Sequence, residues 1–591
     1  MKYSFCCMLC LSFIIFNSCK NDSSSSNDPS SNERIDLSQD LEDYYQSYLK
    51  LNPVDATFAG ITDYNDTWEN SIAQENRNST KAFYKSIIDK LDNIDRDNLS
   101  KEDQLSYDIL KWDCTVAYEN FAYPKYLTPI DQMWSPNLMV GQLASGVGAQ
   151  PFETVEDYEN WLLRVEGYLA WVETAMENMK EGMSKGIVLP SPLIKKVIPQ
   201  FTELAKGKIE DHLFYSPVKN IPDSFSAEEE DKIKNEYTAM VEQKIIPTYQ
   251  KMAKFLSNDY KGRDSDGIGV YGNGDEWYQH QIKTYTTTNM SADEIHELGL
   301  KEVARIRSEM EKVKDQIGFQ GDLKSFFNHV RTNKELMPFK SPKEVIDNFN
   351  AIHDKMLPQL NKLFDLKPKT PFEVRQTEAF REASASAEYN QGSLDGTRPG
   401  IFYVPIPDVE KYNTYSDEDL FLHEAIPGHH YQISLQQENT SLPSFRKTLW
   451  YSAYGEGWAL YTESLGKELG LYQDPYQYFG MLGAEIHRAI RLVVDTGIHS
   501  KGWSREMAIQ YSLDNEAESE ASIISEIERY MANPGQALSY KIGQLKIQEL
   551  RKRASDKLGD KFDIKQFHNI VLESGCVPLA ILEARIEEWI S

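Results

Sequence analysis

The chain has 591 residues, of which 40% are apolar and 26% are charged, a composition typical of a globular protein with a large core. Its formal net charge of −28 argues against nucleic acid or an anionic membrane surface as a partner, because both require clustered Lys and Arg. Aromatic residues reach 12%, which fits either a large helical core or an aromatic-lined cleft for peptides or glycans.

The first 19 residues have the pattern of a lipoprotein signal peptide. Lys2 supplies a positive start, and the apolar run Phe5–Phe16 is too short to span a bilayer. The segment ends in Ser18-Cys19, which resembles a bacterial lipobox, so we expect Cys19 to carry a lipid; an ordinary secretory signal with a chance cysteine is the alternative. We therefore expect an extracytoplasmic protein, in the periplasm or on the outer-membrane surface, that is attached to the membrane by its lipid alone.

Residues 20–37 follow as a stretch rich in Ser, Asn and Asp. Such a stretch cannot bury apolar surface, which predicts a flexible tether. Residues 38–591 contain no second linker of this kind and no internal repeat, so we expect them to form a single large domain. Only Cys114 and Cys576 remain in this domain, and the sequence leaves open whether they pair.

Helical periodicity dominates the domain and predicts a mainly α-helical fold. Ser291-Ala-Asp-Glu294 has the pattern of a capping box that opens a long helix, and Tyr158–Met179 is a second amphipathic stretch. The best candidate for a strand is Gly400–Pro405, where the proline indicates an edge strand or a strand end. An edge strand could pair with an extended peptide, and simple packing is the alternative.

The most informative stretch holds three of the chain's eleven histidines, next to a carboxylate. His423-Glu424 matches the start of H-E-x-x-H, a motif in which two histidines one turn apart bind zinc and the Glu is a general base. Pro427 stands where the second histidine belongs. On a regular helix His429 would lie about 9 Å up and roughly 120° off the face of His423, and His430 would be aligned but about 10.5 Å up.

A local distortion of the helix could repair this motif. Pro427 removes a backbone hydrogen bond of the preceding turn, and Gly428 tolerates the backbone that results. A two-residue bulge at Ile426–Pro427 would return His429 to the position of the second histidine. We therefore favour His429 over His430 as a ligand of Zn²⁺ and expect His430 to support the ligands or to face the substrate. A kinked helix with core or surface histidines is the alternative.

A third ligand is expected from a second helix. Glu456 begins a helical run between two glycines, and Glu463 lies two turns later on the same face, where it could orient a ligand. Together with His423 and His429, Glu456 would hold Zn²⁺ and leave a fourth position for water, which Glu424 would activate. The alternative for Glu456 is an acidic residue at a helix start.

Further polar residues are candidates for substrate contacts. His487, Arg491, Asp495 and His499 recur every four residues on an otherwise apolar helix, which predicts a polar seam that faces a cleft. Arg491 could bind a substrate carboxylate, and His499 could stabilise an oxyanion. Tyr540, in the first turns of a later helix, is another candidate oxyanion donor; a buried Tyr with an internal partner is the alternative.

With these residues the chain resembles the bacterial family called domain of unknown function 885. The similarity covers most of the chain beyond the leader and is densest after residue 280. The segments that carry it are His423–His430, Glu456–Tyr461, Arg491–His499, Arg529-Tyr530 followed by Pro534–Tyr540, Arg398–Tyr403 and Thr286–Thr288. The strand departs from the family pattern at Pro405, where Asn is expected, and this bears on substrate fit.

The resemblance implies a mainly α-helical domain with a deep cleft and a small β element, similar to the helical zinc oligopeptidases and the thermostable carboxypeptidase group. It also implies a zinc site around His423–His430, with Tyr403, Arg529 and Tyr530 near the substrate. We therefore predict a zinc-dependent peptidase that hydrolyses short peptides. The alternatives are a metal-dependent amidase or esterase on a non-peptide substrate and a catalytically inactive lipoprotein that binds peptides or glycans. Exo- or endo-cleavage and the oligomeric state are left open.

Overall fold

The computed structural model describes residues 36–146, 148–264, 266–378, 382, 385–393 and 398–591. The predicted signal peptide, its Cys19 and nearly all of the predicted tether over residues 20–37 lie outside the described residues. The described chain is mainly α-helical with one small sheet, which confirms the predicted fold class. Among the described helices, none combines the length and the apolar character that a membrane crossing requires.

The helices and strands follow in chain order. The first group is α1 Ser38–Leu51, α2 Pro53–Phe58, α3 Gln74–Asp92, α4 Lys101–Asn120, α5 Pro136–Leu143, α6 Val155–Lys185, α7 Ser191–Glu203, α8 Ala227–Met240 and α9 Ile246–Lys254. The second group is α10 Gly274–Thr286, α11 Ala292–Ile317, α12 Leu323–Thr332, α13 Pro342–Leu363, β1 Phe372–Gln376, β2 Glu388–Asn390 and β3 Gly400–Val404. The third group is α14 Asp417–Glu424, α15 His429–Glu438, α16 Ser444–Lys447, α17 Ser452–Glu463, α18 Pro475–Ser500, α19 Arg505–Asn515, α20 Glu520–Ala532, α21 Ser539–Leu558, α22 Ile564–Glu573 and α23 Leu579–Ile590.

Local signals set the starts of the two long helices that the sequence predicts. Ser291 accepts a hydrogen bond from the backbone N–H of Glu294, and the Glu294 carboxylate accepts one in return, so the predicted capping box opens α11. The amphipathic stretch Tyr158–Met179 lies inside α6, which Thr154 caps in the same way. Both predictions are confirmed.

Apolar side chains form two buried clusters. The smaller one is built on α6 and the helices that follow it up to α9. The larger one joins α1 and α4 to the helices from α10 onward and to the sheet. Within it α11 and α18 approach closely, because Gly299 has no side chain. A Cβ at Gly299 would lie 2.8 Å from Leu492 Cβ. Cys114 and Cys576 are both buried in this larger cluster and are not joined by a disulfide.

The sheet has the strand order β1-β3-β2. Strand β3 pairs in parallel with β1 and antiparallel with β2, so it is the middle strand. The prediction of an edge strand at Gly400–Pro405 is therefore wrong, whereas Pro405 does follow the strand end. Phe402 of β3 is fully buried against Phe349, with ring centroids 5.1 Å apart, which favours packing over the pairing of β3 with a peptide.

Candidate metal centre

Helix α14 carries His423 and Glu424 in its last turn. It begins at Asp417, and the side chain of Ser416 makes no capping hydrogen bond. Instead the first turn is buried, and the Asp417 carboxylate accepts a hydrogen bond from Tyr412 Oη at 2.9 Å. The helix is thus fixed by buried polar contacts rather than by a surface cap.

Helix α14 ends at Glu424, and a second helix, α15, begins at His429. The predicted two-residue bulge within one helix is therefore replaced by two separate helices. A Cβ on Gly428 would lie 2.0 Å from the carbonyl oxygen of His423, so only glycine fits in this tight turn between α14 and α15. Trp458 Nε1 anchors the break by donating to the carbonyl of Pro427 at 2.9 Å. As a result the rings of His423 and His429 meet edge to face, with centroids 4.8 Å apart.

Helix α17 presents Glu456 to the two histidines. It packs closely on α21 because Gly457 has no side chain. A Cβ at this position would lie 2.5 Å from the backbone of Gly543. On its other side, Thr462 Oγ1 donates to the carbonyl of Leu422 in α14 at 2.9 Å. These contacts on both sides set the position of Glu456 relative to α14.

His423, His429 and Glu456 form a cluster of metal-ligating atoms. Glu456 Oε2 lies 3.6 Å from His423 Nε2 and 3.4 Å from His429 Nε2, and one donor atom of each residue lies within 4.8 Å of the others. Glu463 Oε1 lies 2.7 Å from His423 Nδ1, which is the usual arrangement of a metal-ligating histidine and its carboxylate acceptor. His429 Nδ1 is buried without a hydrogen-bond partner among the described residues.

The spacing of this cluster suits a zinc ion. Ligands about 2.0–2.1 Å from a tetrahedral zinc are about 3.3 Å apart. The two histidine–carboxylate separations of 3.6 and 3.4 Å are longer than an ordinary hydrogen bond and close to that value. Two imidazole nitrogens, one carboxylate oxygen and an open fourth position are also the ligand set of several catalytic zinc sites.

The electrostatics of the cluster favour a bound cation. Burial lowers the pKa of His423, but the carboxylates of Glu456 and Glu463 raise it to about 10. Burial raises the pKa of Glu424, and burial together with the neighbouring Glu463 raises the pKa of Asp419 well above its usual range. Four buried or half-buried carboxyl groups thus surround two imidazoles, an imbalance that a divalent cation would correct.

Tyr540 of α21 and Arg491 of α18 form a stacked pair. Burial raises the pKa of the Tyr540 hydroxyl, and the negative charge of Glu456 raises it further. The Arg491 guanidinium stacks on the Tyr540 ring, 4.5 Å from its centroid. Its Nε donates to Tyr530 Oη at 3.1 Å and its Nη2 to Glu526 at 2.9 Å, whereas Nη1 is buried without a partner among the described residues. One nitrogen of Arg491 is therefore left without an internal acceptor among the described residues.

Arg529 and Tyr530, both predicted to bind substrate, are buried and paired with Glu526. Arg529 Nη2 and Tyr530 Oη each donate to Glu526 Oε2 at 2.8 Å, and Arg529 Nη1 donates to Gln536 at 2.6 Å. Their role in the structure is thus to hold Arg491 and α20 in place. Sequence reasoning missed Glu526, although its position three residues before Arg529 on one helix could have indicated the pair.

The structure contradicts the predicted oxyanion role of His499. Its Nδ1 accepts from the backbone N–H of Ile268 at 3.2 Å, its Nε2 lies 2.9 Å from the carbonyl of Tyr530, and burial lowers its pKa to about 3. Asp495 similarly accepts from the backbone N–H of Gly535 at 3.1 Å. This part of the predicted polar seam therefore faces neighbouring backbone inside the fold, not a cleft.

His430 and Tyr403 lie at the sheet. His430 Nδ1 is 3.0 Å from Tyr389 Oη of β2, and its ring centroid is 5.0 Å from that of Phe372 of β1. Burial lowers the pKa of His430 to about 4, so it is neutral at physiological pH. Of the two adjacent histidines, His429 faces Glu456 and His430 faces the sheet. Tyr403 lies on the middle strand, in register with Arg375 of β1.

A cleft of about 660 Å³, here called the aromatic cleft, is connected to the metal-ligating cluster through Trp450, whereas His423, His429 and Glu456 do not line it. Trp450 belongs to its wall and lies next to the cluster, with its ring centroid 5.8 Å from that of His429. The aromatic side chains that line the cleft are Phe121, Tyr123, Tyr126, Trp134, Trp171, Tyr285 and Trp450. Sequence reasoning allowed such a cleft from composition but could not place it.

Comparisons with known proteins give a family and a fold. The model of a family described as "Bacterial protein of unknown function (DUF885)" matches residues 53–586. The crystal structure of a candidate lipoprotein from Colwellia psychrerythraea is 28% identical, with a TM-score of 0.83, and the match covers 94% of this chain and 99% of that one. A candidate lipoprotein of unknown function from Shewanella oneidensis shares the fold at 19% identity, with a TM-score of 0.74 and coverage of 93% and 99%. No curated protein matches the chain.

Proposed function

This chain belongs to the bacterial DUF885 family, whose function is unknown, and from its metal-ligating cluster we propose that it is a zinc-dependent peptidase acting on short peptides outside the cytoplasm. The observation that carries the proposal is the convergence of His423, His429 and Glu456 beside the carboxylate of Glu424. Similarity to candidate lipoproteins supports the location outside the cytoplasm.

The residues of the cluster have separate tasks in this proposal. His423, His429 and Glu456 would hold zinc, which when bound polarises a carbonyl and acidifies a water molecule. Glu424 takes the proton of the attacking water and passes it to the leaving amine, a task for which its raised pKa is suited. Glu463 keeps the His423 ring in the orientation that turns Nε2 toward Glu456.

We expect Tyr540 of α21 to assist the reaction. Its hydroxyl would donate a hydrogen bond to the negative charge that develops on the carbonyl oxygen. The Arg491 guanidinium beneath the ring holds the tyrosine in place and stays charged, because Tyr530 and Glu526 surround it. Tyr540 thus remains a candidate, whereas the structure leaves His499 no free ring nitrogen for this task.

The size of the aromatic cleft supports a small substrate. Its volume of about 660 Å³ falls within the range of roughly 300–1,000 Å³ that holds small ligands. Such a cleft admits a few residues of extended peptide but excludes a folded protein, so short peptides are the proposed substrates.

Turnover of a peptide library by the full-length protein, with and without chelator, tests the proposal. Hydrolysis should stop with chelator and return with zinc. Glu424→Gln should keep its zinc and lose at least about 10²-fold in turnover, since it removes the general base. The control Glu506→Gln changes an exposed carboxylate on α19 and should behave as the wild type.

Two results would count against the proposal. One is a zinc-loaded protein that cleaves no peptide in the library. The other is undiminished turnover by Glu424→Gln, which would exclude Glu424 as the base. A catalytically inactive binding lipoprotein predicts the first result, so the same experiment separates it from a peptidase.

A further inference from the structure

Two tryptophans are exposed on the wall of the aromatic cleft. Trp134 is 47% exposed and Trp450 is 44% exposed, although tryptophan is usually highly buried. Exposed apolar surface inside a concave site is a mark of ligand binding. The two side chains therefore need a reason beyond packing.

The turn that presents Trp134 is fixed by hydrogen bonds. Asp131 Oδ1 accepts from the backbone N–H groups of Met133 and Trp134, each at 2.6 Å. Gln132 Nε2 ties the same turn to α20 by donating to the carbonyl of Glu528 at 3.0 Å. The exposure of Trp134 thus belongs to an anchored turn and is available to a ligand without rearrangement.

Trp450 connects the cleft to the metal-ligating cluster. Its indole lies over Gly455, where a Cβ would come within 2.1 Å of Trp450 Cη2, so the glycine makes room for the ring. Gly455 directly precedes Glu456, and the ring centroid of His429 lies 5.8 Å from that of Trp450. A ring stacked on Trp450 would therefore sit next to the cluster.

Two cations line the same cleft. Arg77 and Lys125 form no ion pair with a carboxylate in the part of the chain that the structure describes. The Arg77 guanidinium lies 3.4 Å from the centroid of the Tyr126 ring, and its Nε is buried without a partner among the described residues. Asp131 also lines the cleft, but one of its oxygens is committed to backbone N–H groups. In a chain of net charge −28, this local excess of positive charge favours an anionic ligand.

We propose that the aromatic cleft binds a peptide segment that carries an aromatic side chain next to a carboxylate. The aromatic ring packs against both Trp134 and Trp450, and the carboxylate lies near Arg77 and Lys125. This inference rests on the proposed function in one respect, because it takes the ligand to be a peptide substrate of the adjacent cluster. It extends that function by naming the side chains that the enzyme selects.

Binding of four blocked tetrapeptides to the full-length Glu424→Gln protein, loaded with zinc, tests the inference by calorimetry. The peptides differ only at the two middle positions, which are phenylalanine-aspartate, alanine-aspartate, phenylalanine-lysine and alanine-lysine. The phenylalanine-aspartate peptide should bind at least about tenfold more tightly than the alanine-aspartate or the phenylalanine-lysine peptide. Trp134→Ala and Trp450→Ala should each reduce the advantage of phenylalanine at least about fivefold.

Two further variants complete the set. Lys125→Ala should reduce the advantage of aspartate and leave that of phenylalanine unchanged. The matched control is Phe58→Ala, which removes an aromatic side chain that is 43% exposed outside the cleft and should change no affinity. Trp134→Ala is the decisive variant, because Trp450→Ala could also disturb the neighbouring His429.

Equal affinity for the four peptides, no binding of any of them, or unchanged binding by Trp134→Ala would overturn the inference. Its failure can be told apart from failure of the proposed function. Cleavage of peptides by the wild type without a preference for aromatic residues leaves the peptidase and removes the subsite. Tryptophan-dependent binding by a protein that cleaves no peptide leaves the subsite and removes the peptidase.

Discussion

Replacing Gly428 by alanine perturbs the turn between α14 and α15 that brings His429 next to His423. The added Cβ would lie 2.0 Å from the carbonyl oxygen of His423 and 2.2 Å from that of Leu422, where at least 3.0 Å is needed. Both oxygens belong to the backbone of α14 and cannot swing aside as a flexible side chain would. The backbone at Gly428 must therefore move by about 1 Å, and His429 is the next residue.

The consequences can be given as magnitudes. Metal–ligand distances are held within about 0.2 Å, so a shift of this size takes His429 away from a position that binds zinc, and zinc affinity should fall at least about tenfold. Overpacking should also lower the free energy of unfolding by about 1–3 kcal/mol. Competition with a chelating dye measures the first quantity, and denaturation in urea measures the second.

Gly483→Ala is the matched control. It lies in α18, where an added Cβ meets nothing within 4 Å, and alanine is favoured over glycine in a helix by about 1 kcal/mol. This variant should bind zinc as the wild type does and be equally or slightly more stable. Wild-type zinc affinity in Gly428→Ala would refute the reasoning, since the ligand geometry would then not depend on the tight turn at Gly428.

Three further predictions concern other buried groups. Glu463→Gln removes the carboxylate that faces His423 and should lower zinc affinity by about 10–100-fold in the same competition assay; an unchanged affinity would show that this contact does not support the metal. Glu526→Gln leaves the buried Arg491 uncompensated and should cost about 3–5 kcal/mol of stability in urea, and a loss below about 1 kcal/mol would contradict it. Burial lowers the pKa of His568 to about 3. Between pH 6.5 and 5 the unfolded chain therefore takes up a proton on this histidine that the folded protein does not. The free energy of unfolding should fall by about 1.5–2 kcal/mol as the pH is lowered over this range. His568→Gln should lose less free energy of unfolding over this pH range. If the pH dependence of unfolding were the same in His568→Gln and the wild type, His568 would not be its source.

The local part of the structure could be read from the sequence because its causes are local. The capping box at Ser291 needs only residues three apart to open α11. The placement of His429 followed from helical spacing together with a proline and a glycine that forbid a regular turn. The form of the break did not follow, since its anchor is Trp458, which lies on another helix.

Contacts between distant segments could not be predicted in this way. The polar seam on α18 was correctly recognised as unusual, but sequence periodicity does not show what covers a helix face. In the structure the backbone of Ile268 and Tyr530 meets His499, from positions far away in the chain. Pro405 correctly indicated the end of β3, but the edge position was wrong, because the partner β1 begins 28 residues earlier and no local signal marks the pairing.

The zinc content of three proteins tests the central claim most directly. The wild type, His429→Ala and His430→Ala are purified at full length, loaded with zinc, freed of unbound metal and measured by elemental analysis. We predict about one equivalent for the wild type and for His430→Ala, and less than about half an equivalent for His429→Ala, because His429 faces Glu456 and His430 faces the sheet. Full occupancy in His429→Ala, or none in the wild type, would contradict the assigned site.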